Sequence, residues 1–478
     1  MTTPLWTLDA MTAAMRADLC GAPLEAITGI SINSRSIMPG DAYFAIKGDV
    51  HDGHAFVDAA LAKGAALAVV AKEKQKDFAA DARLLVVDDV LKALEDLGRA
   101  SRARLIGQVI AVTGSVGKTS TKEMLRGVLT AQGETHASIA SFNNHWGVPL
   151  TLARCPASVA YAVFEIGMNH AGEITPLVKM VRPHLAVITT VEPVHLEFFA
   201  GIEAIADAKA EIFLGVEPGG VVVLNRDNAQ FARLQKAAKA AGIKRIVSFG
   251  EHAKADARLL DIALHATCSA IHASILKQDV TYKLAMPGRH MAMNSLAVLA
   301  MAQLAGCDLA VAALTLSRVA PAAGRGQHHT LDVAGGEAIL IDETFNANPA
   351  SMTAALSVLG KVPVRDKGRR IAVLGDMLEL GVNAAKLHHG LIEAVNANAI
   401  DLVYCCGPMM KHLWDALSSG KRGGYADDAA SLESQVVGAV RAGDVIMVKG
   451  SKGSNMKPIV ATLEKRFPGN AAFDDAAV

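Results

Sequence analysis

The chain has 478 residues, enough for about three domains of ordinary size, each able to bury its own core. Its 47 lysines and arginines balance its 47 aspartates and glutamates, which excludes a global basic field for nucleic acid or an anionic membrane and favours a small, locally recognised substrate. Six cysteines stand singly or adjacent, without a CxxC pair or a disulfide-rich spacing, so a reducing cytosol is the expected compartment.

Residues 1–24 carry Asp9, Arg16 and Asp18 where an export signal would need an unbroken apolar core, and no such signal is read there. From there to about residue 105 short apolar runs alternate with turns. Residues 42–46 read as a strand, 56–63 as a helix and 66–71 as a strand, the pattern of a small α/β module. Its loops concentrate polar groups and glycines around Ser34 and Arg35 and again around Asp52, Gly53 and His54. Solvated turns account for such loops more readily than ligand contacts do.

The run Val109-Ile110-Ala111-Val112 ends abruptly in Thr113-Gly114-Ser115-Val116-Gly117-Lys118-Thr119-Ser120. Met124, Leu125, Val128 and Leu129 then share a helical face, so the stretch reads as strand, phosphate loop and helix, the helix starting near Lys118. Unpaired amides and the positive end of the helix dipole favour an anion there. Lys118 can reach β- and γ-phosphates, and Thr119 can offer its hydroxyl to magnesium. Val112 stands where the generic loop has its first glycine, so the strand before and the helix after carry the nucleotide reading.

Residues 161–166, 185–189 and 221–224 are continuous apolar runs, the look of parallel strands buried on both faces. Residues 253–284 hold short β-like runs and read as a β excursion. The greasiest stretch, 295–316, is interrupted by Gln303, Gly306 and Asp308 and reads as buried helices rather than a membrane span. Glu165 puts a charge inside an apolar strand, which is costly unless it is paired or bound to a metal. His195 follows the next predicted strand, and Lys209 lies on the helical segment after it. Taken alone, a satisfied structural histidine and a solvated surface lysine are the commoner readings.

Pro321, Gly324 and Gly326 break the pattern over 319–327, as a hinge carrying Arg325 would. Beyond it, strands are predicted at 338–341, 371–374, 402–406 and 445–448, running into Asp342, Gly375-Asp376, Gly407 and Lys449-Gly450. Ligands gather at the carboxyl ends of strands in open α/β sheets, so this is a second Rossmann-like unit with candidate site residues there. Residues after Pro468 read as a frayed tail. The expected domains are 1–105, 106–327 and 328–478.

Over essentially its whole length the chain resembles the Mur ligase family. The likeness is carried by the phosphate loop 113–120, Phe142-Asn143-Asn144, Gly147-Val148-Pro149, Glu165-Ile166-Gly167-Met168-Asn169-His170, Thr344-Phe345-Asn346-Ala347-Asn348-Pro349 and the run from Leu374 to Gly381. The resemblance implies an α/β protein of three domains: an N-terminal UDP-substrate domain, a central P-loop parallel-sheet ATPase domain and a C-terminal Rossmann-like domain. It is strongest to the branch that adds D-alanyl-D-alanine to UDP-N-acetylmuramoyl-tripeptide, using ATP and an acyl-phosphate intermediate.

By the same likeness Lys118, Glu165, His195, Lys209 and Arg325 are catalytic. Thr119, Glu165 and His195 hold Mg2+, and Lys209, carbamylated by carbon dioxide, helps place a second ion. Asn294 lies near the adenine, Arg325 reaches the phosphates, and Asp342 and Asn346 close over the nucleotide. Ser34, Arg35, Asp52, Gly53 and His54 face the UDP part of the substrate, with Asn143 and Asn144 as further substrate contacts. A cytoplasmic monomer with neither nucleic acid nor stable membrane insertion is expected.

Two departures from the family pattern, Thr189-Thr190 before the histidine and His145-Trp146 after the asparagines, put transfer of substrate contacts in doubt. The rival readings are a sister amide ligase, a P-loop kinase or GTP switch, and a non-catalytic binding protein on a ligase fold. Against the first stands the lack of the Asp-Asn-Pro-Arg signature of diaminopimelate adders, and against the second the lack of a guanine-reading Asn-Lys-x-Asp.

Overall fold

A strand that is apolar at every position must be covered on both faces, and alternate side chains then belong to different cores. The computed structural model describes residues 4–469 apart from 23, 25, 140 and 366, and it meets this requirement three times over. In the middle of the chain a nine-stranded sheet runs in the order Gln278–Leu284, Ser269–Ile275, Ala257–Leu264, Arg245–Gly250, Val221–Asn225, Leu185–Ile188, Gln108–Thr113, Tyr161–Glu165 and Thr135–Ala137. Ile110 and Val112 face one core, with helices Lys118–Thr130 and Arg289–Leu304, while Val109 and Ala111 face the other, with helix Ile174–Val181. The strands are parallel up to Ala257–Leu264, which then starts an antiparallel meander. The β excursion expected over 253–284 is therefore the edge of the central sheet itself.

The first domain is a five-stranded sheet ordered Asp18–Cys20, Leu84–Val87, Leu67–Ala71, Asp41–Phe44 and Gly29–Ser31, with its first pair antiparallel and the rest parallel. The third is a six-stranded sheet ordered Gln327–Val333, Gly336–Glu343, Val445–Lys449, Arg370–Gly375, Leu402–Cys406 and Arg422–Ala426. Its first pair is antiparallel and the others are parallel.

The four inner strands of this sheet are those legible as apolar runs. The outer two were not: Gln327–Val333 is polar along most of its length, and Arg422–Ala426 contains two glycines. An edge strand needs only one apolar face, so its sequence signal is weaker. Past Gly469 the expected frayed tail lies outside the described residues, and Pro468 itself bridges Leu331. Among the described residues no helix is long and apolar enough to cross a membrane.

Candidate active site

At the carboxyl end of strand Gln108–Thr113 the chain turns through Gly114 (φ +150°) and Gly117 (φ +85°) into helix Lys118–Thr130. Both turns require glycine. A Cβ on Gly114 would stand 1.9 Å from Thr189 Oγ1, and one on Gly117 would stand 2.6 Å from Asn294 Nδ2. Thr189 braces the loop by donating to the carbonyl of Val116 at 2.6 Å, and Ser115 is tied to Glu192 by two hydrogen bonds of 2.9 and 3.1 Å. Lys118 is folded back over the loop, its Nζ donating to the carbonyls of Gly114 at 2.7 Å and Ser115 at 3.4 Å. Burial lowers the Lys118 pKa; Glu165 opposes that, and Arg325 adds to it. The result is a preformed concavity of backbone amides and one cation at a helix N-terminus.

Glu165, the last residue of its strand, is 1 % exposed. Its charge is satisfied: Thr119 Oγ1 donates to Oε2 at 2.8 Å and Asn143 Nδ2 to Oε1 at 2.7 Å. A hydroxyl and a carboxylate thus meet beside the phosphate loop. Lys209, at the end of helix Ile202–Ala210, is 2 % exposed and has no hydrogen-bond or ion-pair partner among the described residues. Burial, with repulsion from Lys118 added, holds its pKa well below the ordinary lysine value. The surface lysine that the residue type suggested is a buried amine driven toward neutrality.

The third domain completes the site. Between Gly324 and Gly326, both with positive φ, Arg325 lies over the Phe345 ring at 3.8 Å and donates through Nη2 to Thr119 Oγ1 at 2.9 Å. Buried Lys449 joins Glu343 at 3.1 Å and the Asn346 carbonyl at 3.0 Å. His195, itself in a left-handed conformation (φ +54°), shares a hydrogen bond of 2.5 Å between Nδ1 and Glu379 Oε2. Burial lowers the His195 pKa, and Glu379 only partly offsets it. These groups surround a cavity of about 420 Å³, lined by Lys118, Thr119, Glu165, His195, Asn294 and Arg325 among others.

The N-terminal part of the chain, residues 26–102, matches the model of the Mur ligase family, catalytic domain; residues 112–302 match the Mur ligase middle domain, and 325–452 the Mur ligase glutamate ligase domain. A UDP-N-acetylmuramoyl-tripeptide--D-alanyl-D-alanine ligase of Rickettsia prowazekii is 32% identical over 437 residues, 90% of this chain and 94% of that one. The chain belongs to the Mur ligase family. The Escherichia coli enzyme of the same name is also 32% identical, over 96% of this chain and 98% of its own. MurF of Acinetobacter baumannii superposes with a TM-score of 0.83 at 30% identity, covering 97% of this chain and all of that one. MurF of Thermotoga maritima, solved with ADP, gives 0.75 at 27% identity over 92% and 98% of the two chains.

As in any Mur ligase, ATP is the nucleotide to be placed, and the residues expected around it divide into two sets. Ser115, Val116, Gly117, Ser120 and Asn346 line the cavity with the side chains already named. Thr113 is fully buried beneath the loop, and Gly114 contributes its carbonyl to Lys118. Asp342 does not line the cavity: its carboxylate accepts from the amide and hydroxyl of Thr344, capping its own turn, and the next residue, Glu343, lines it instead.

In this Mur ligase the residues expected to face the UDP moiety are not brought to the phosphate loop. Asn33 caps the turn Ser34–Ser36 by accepting from Arg35 N. Asp52 caps Gly53–Phe56 and holds His54 Nδ1 at 2.6 Å, while His54 Nε2 accepts from Ala71 N at 3.0 Å, at the end of strand Leu67–Ala71, so both ring nitrogens are taken by the protein. Asn33 and Ser36 do line a second cavity of about 700 Å³ between the first and central domains, together with Phe142 and Arg154. Asn144 accepts from Trp146 N and Gly147 N, holding the turn that leads into helix Gly147–Ala153, and His145 touches Trp146 edge-on. Lys449, one of the strand-end candidates, lines the cavity, and Thr189, Glu192, His290 and Glu343 are cavity residues that the sequence reading did not assign. Glu343 had a usable signal, since side chains alternate along a strand and one of the pair Asp342-Glu343 must face the other way.

Proposed function

We propose that this Mur ligase adds D-alanyl-D-alanine to UDP-N-acetylmuramoyl-tripeptide with cleavage of ATP, giving ADP, phosphate and the UDP-muramoyl-pentapeptide used in peptidoglycan precursor synthesis. The supporting observation is a juxtaposition. Phosphate loop, buried Glu165 and hinge Arg325 meet at one cavity walled by the third domain, in a chain 32% identical, over 90% of its length, to a relative named for that reaction.

A carboxylate is a poor electrophile, so the tripeptide's terminal carboxylate oxygen takes the γ-phosphoryl group and ADP departs. The dipeptide amine then attacks the carbonyl carbon, loses a proton, and phosphate leaves. Lys118 and Arg325 supply positive potential where charge gathers on the phosphoryl oxygens. The nucleophiles belong to the substrates, and no protein side chain needs to become covalently attached. The third domain carries the amine to the acyl phosphate and excludes water on closing.

Two groups implied by the family fit these residues. Among the described residues no trio of His, Cys, Asp or Glu side chains could hold a metal alone. Thr119 Oγ1 and Glu165 nevertheless offer paired hard oxygens, the kind of set magnesium completes with phosphate oxygens, and His195 lines the same cavity. When bound, the ion neutralises phosphoryl charge and polarises the transferred group. A carbamate forms only on a neutral amine, and Lys209 is buried, unpaired and driven toward neutrality. Asn294 and Asn346 are assigned to the nucleotide, and Ser34, Arg35, Asn143 and Asn144 to the UDP-linked substrate. Domain limits at 1–105, 106–327 and 328–478 and action as a cytoplasmic monomer belong to the same reading, the compartment being supported by six free cysteines.

The experiment is phosphate release with ATP, magnesium and the UDP-muramoyl tripeptide, with and without D-alanyl-D-alanine, for the wild type and Lys118→Ala. Release that needs every partner, is lost in the variant and yields the pentapeptide by mass supports the proposal. Equal release without the amine would make the protein an NTPase.

A further inference from the structure

Glu379 is built into the third domain from both sides. Its neighbours Met377 and Leu380 are 1 % and 2 % exposed in that domain's core, and Leu378 N donates to Ser451 Oγ at 2.9 Å. Between these anchors Glu379 adopts φ +62°, a region that disfavours any side chain, and so turns its carboxylate away from its own core. His195 is presented in the same manner from the central domain, at φ +54°, with Val191 and Val194 buried before it and its carbonyl accepting from Phe198 N at 2.9 Å. The two held side chains meet at 2.5 Å, and Glu197 N donates to the Glu379 carbonyl at 3.3 Å beside them. At Gly381 (φ +59°) a Cβ would come within 3.3 Å of Glu197 Cα, so the approach of the two segments also depends on a glycine. Two strained residues facing each other across a domain boundary indicate a built contact.

We propose that Glu379 is a positioning residue for the ligase reaction: by accepting the Nδ1 proton of His195 it fixes that imidazole's tautomer and orientation. The inference rests on His195 serving the ATP site, as proposed above. With Nδ1 donating to Glu379, Nε2 is left as the lone-pair nitrogen, the form required of a histidine that holds a cation. Because the carboxylate comes from the third domain, the imidazole is set only when that domain is docked. One contact therefore links the placing of the amine substrate to the readiness of the ATP site. The linkage is carried by a hydrogen bond between two anchored groups and needs no longer path.

The test uses the full chain and two readouts. Glu379→Ala is expected to lower kcat roughly tenfold to a hundredfold, as loss of one charged hydrogen bond would, with the KM for ATP changed by less than about threefold. Glu379→Gln, which still accepts a hydrogen bond, is expected to recover part of the loss. In a His195→Ala background the Glu379→Ala change is expected to add nothing. Separately, 15N signals of labelled histidines, assigned with His195→Gln, are expected to show an Nδ1–H tautomer at His195 that disappears in Glu379→Ala. An unchanged kcat, an equal loss in the His195→Ala background, or an unaltered His195 signal would each overturn the proposal. Because the spectrum reads the pair whatever the enzyme ligates, failure of the proposed reaction would be seen separately.

Discussion

The central domain meets its two neighbours through chemically different boundaries. Toward the first domain the contact is built on a shared apolar core: Leu150 and Ala153, from central helix Gly147–Ala153, lie in the same core as Trp6, Leu94 and Leu97 of the first. Trp6 donates to the Ala153 carbonyl at 2.8 Å, Arg104 covers its ring at 3.6 Å, and buried Arg102 reaches the Val181 carbonyl at 2.7 Å. Toward the third domain the contacts are polar, Glu379 to His195 and, from the hinge that leads into that domain, Arg325 to Thr119, with Ala266 packing at the margin of the third core. A shared apolar core cannot open without exposing it to water, whereas charged and hydrogen-bonding groups exchange one partner for water or ligand at small net cost. One boundary is fixed and the other can articulate, and the reaction needs the articulated one.

The largest expected effect lies at the polar boundary. Arg325→Ala removes the cation proposed for the γ-phosphate, and kcat for phosphate release should fall about 10²–10³-fold, the usual cost of one such electrostatic donor. The melting temperature should hardly move, because Thr119 retains Glu165 as its partner. A loss under tenfold in steady-state assays would mean that Arg325 holds the hinge without serving the phosphates.

Trp6→Ala probes the other boundary and should show the reverse pattern. Emptying a buried indole and orphaning the Ala153 carbonyl costs about 3–5 kcal/mol of stability in denaturant titrations. The kcat of molecules that remain folded should stay within about twofold. Should kcat collapse while stability holds, the fixed and articulated boundaries would have been assigned the wrong way round.

Small-angle scattering addresses the contrast directly. The radius of gyration should decrease when an ATP analogue and the tripeptide substrate are added together, through movement of the third domain alone. A cross-link between the first and central domains should leave that contraction intact. No contraction with both ligands would remove the articulated boundary from the mechanism.

How much of this was legible depended on the range over which the physics acts. The parallel sheets could be read because strands buried on both faces are apolar throughout, and the phosphate loop because it lies within a dozen consecutive residues. The irregular connection between the central and third sheets was legible because Pro321, Gly324 and Gly326 leave no room for a regular element. The burial of Lys209 was not legible, and only the family likeness pointed to the residue, since Asp207 and Glu211 beside it look like a solvated helix and only packing reveals that it is buried. Glu379 stood in view within its motif, yet its partner lies 184 residues away in another domain. Asp342 and His54 show the converse, for their residue types suggest a ligand site while the hydrogen bonds they make are to the protein itself, Asp342 to its own turn and His54 to Asp52 and to the strand end at Ala71.

The smallest expected effect tests that last distinction. Burial pushes the Asp52 carboxyl pKa up, but the His54 amide and ring, with Lys74, outweigh it and leave it below its ordinary value of 3.8. A group whose folded pKa is depressed stabilises the fold at pH values above its unfolded pKa and loses that contribution as pH falls through the folded one. Asp52→Asn should therefore be less stable than wild type at neutral pH, and the gap should close in the acid range below 3.8. With the Asp52 side chain 33% exposed, solvent screening keeps the difference under about 1 kcal/mol. A gap that stays constant across an acid melting series would mean that the loop uses the shape of the Asp52 side chain and not its charge, leaving the carboxylate free to serve the UDP-linked substrate.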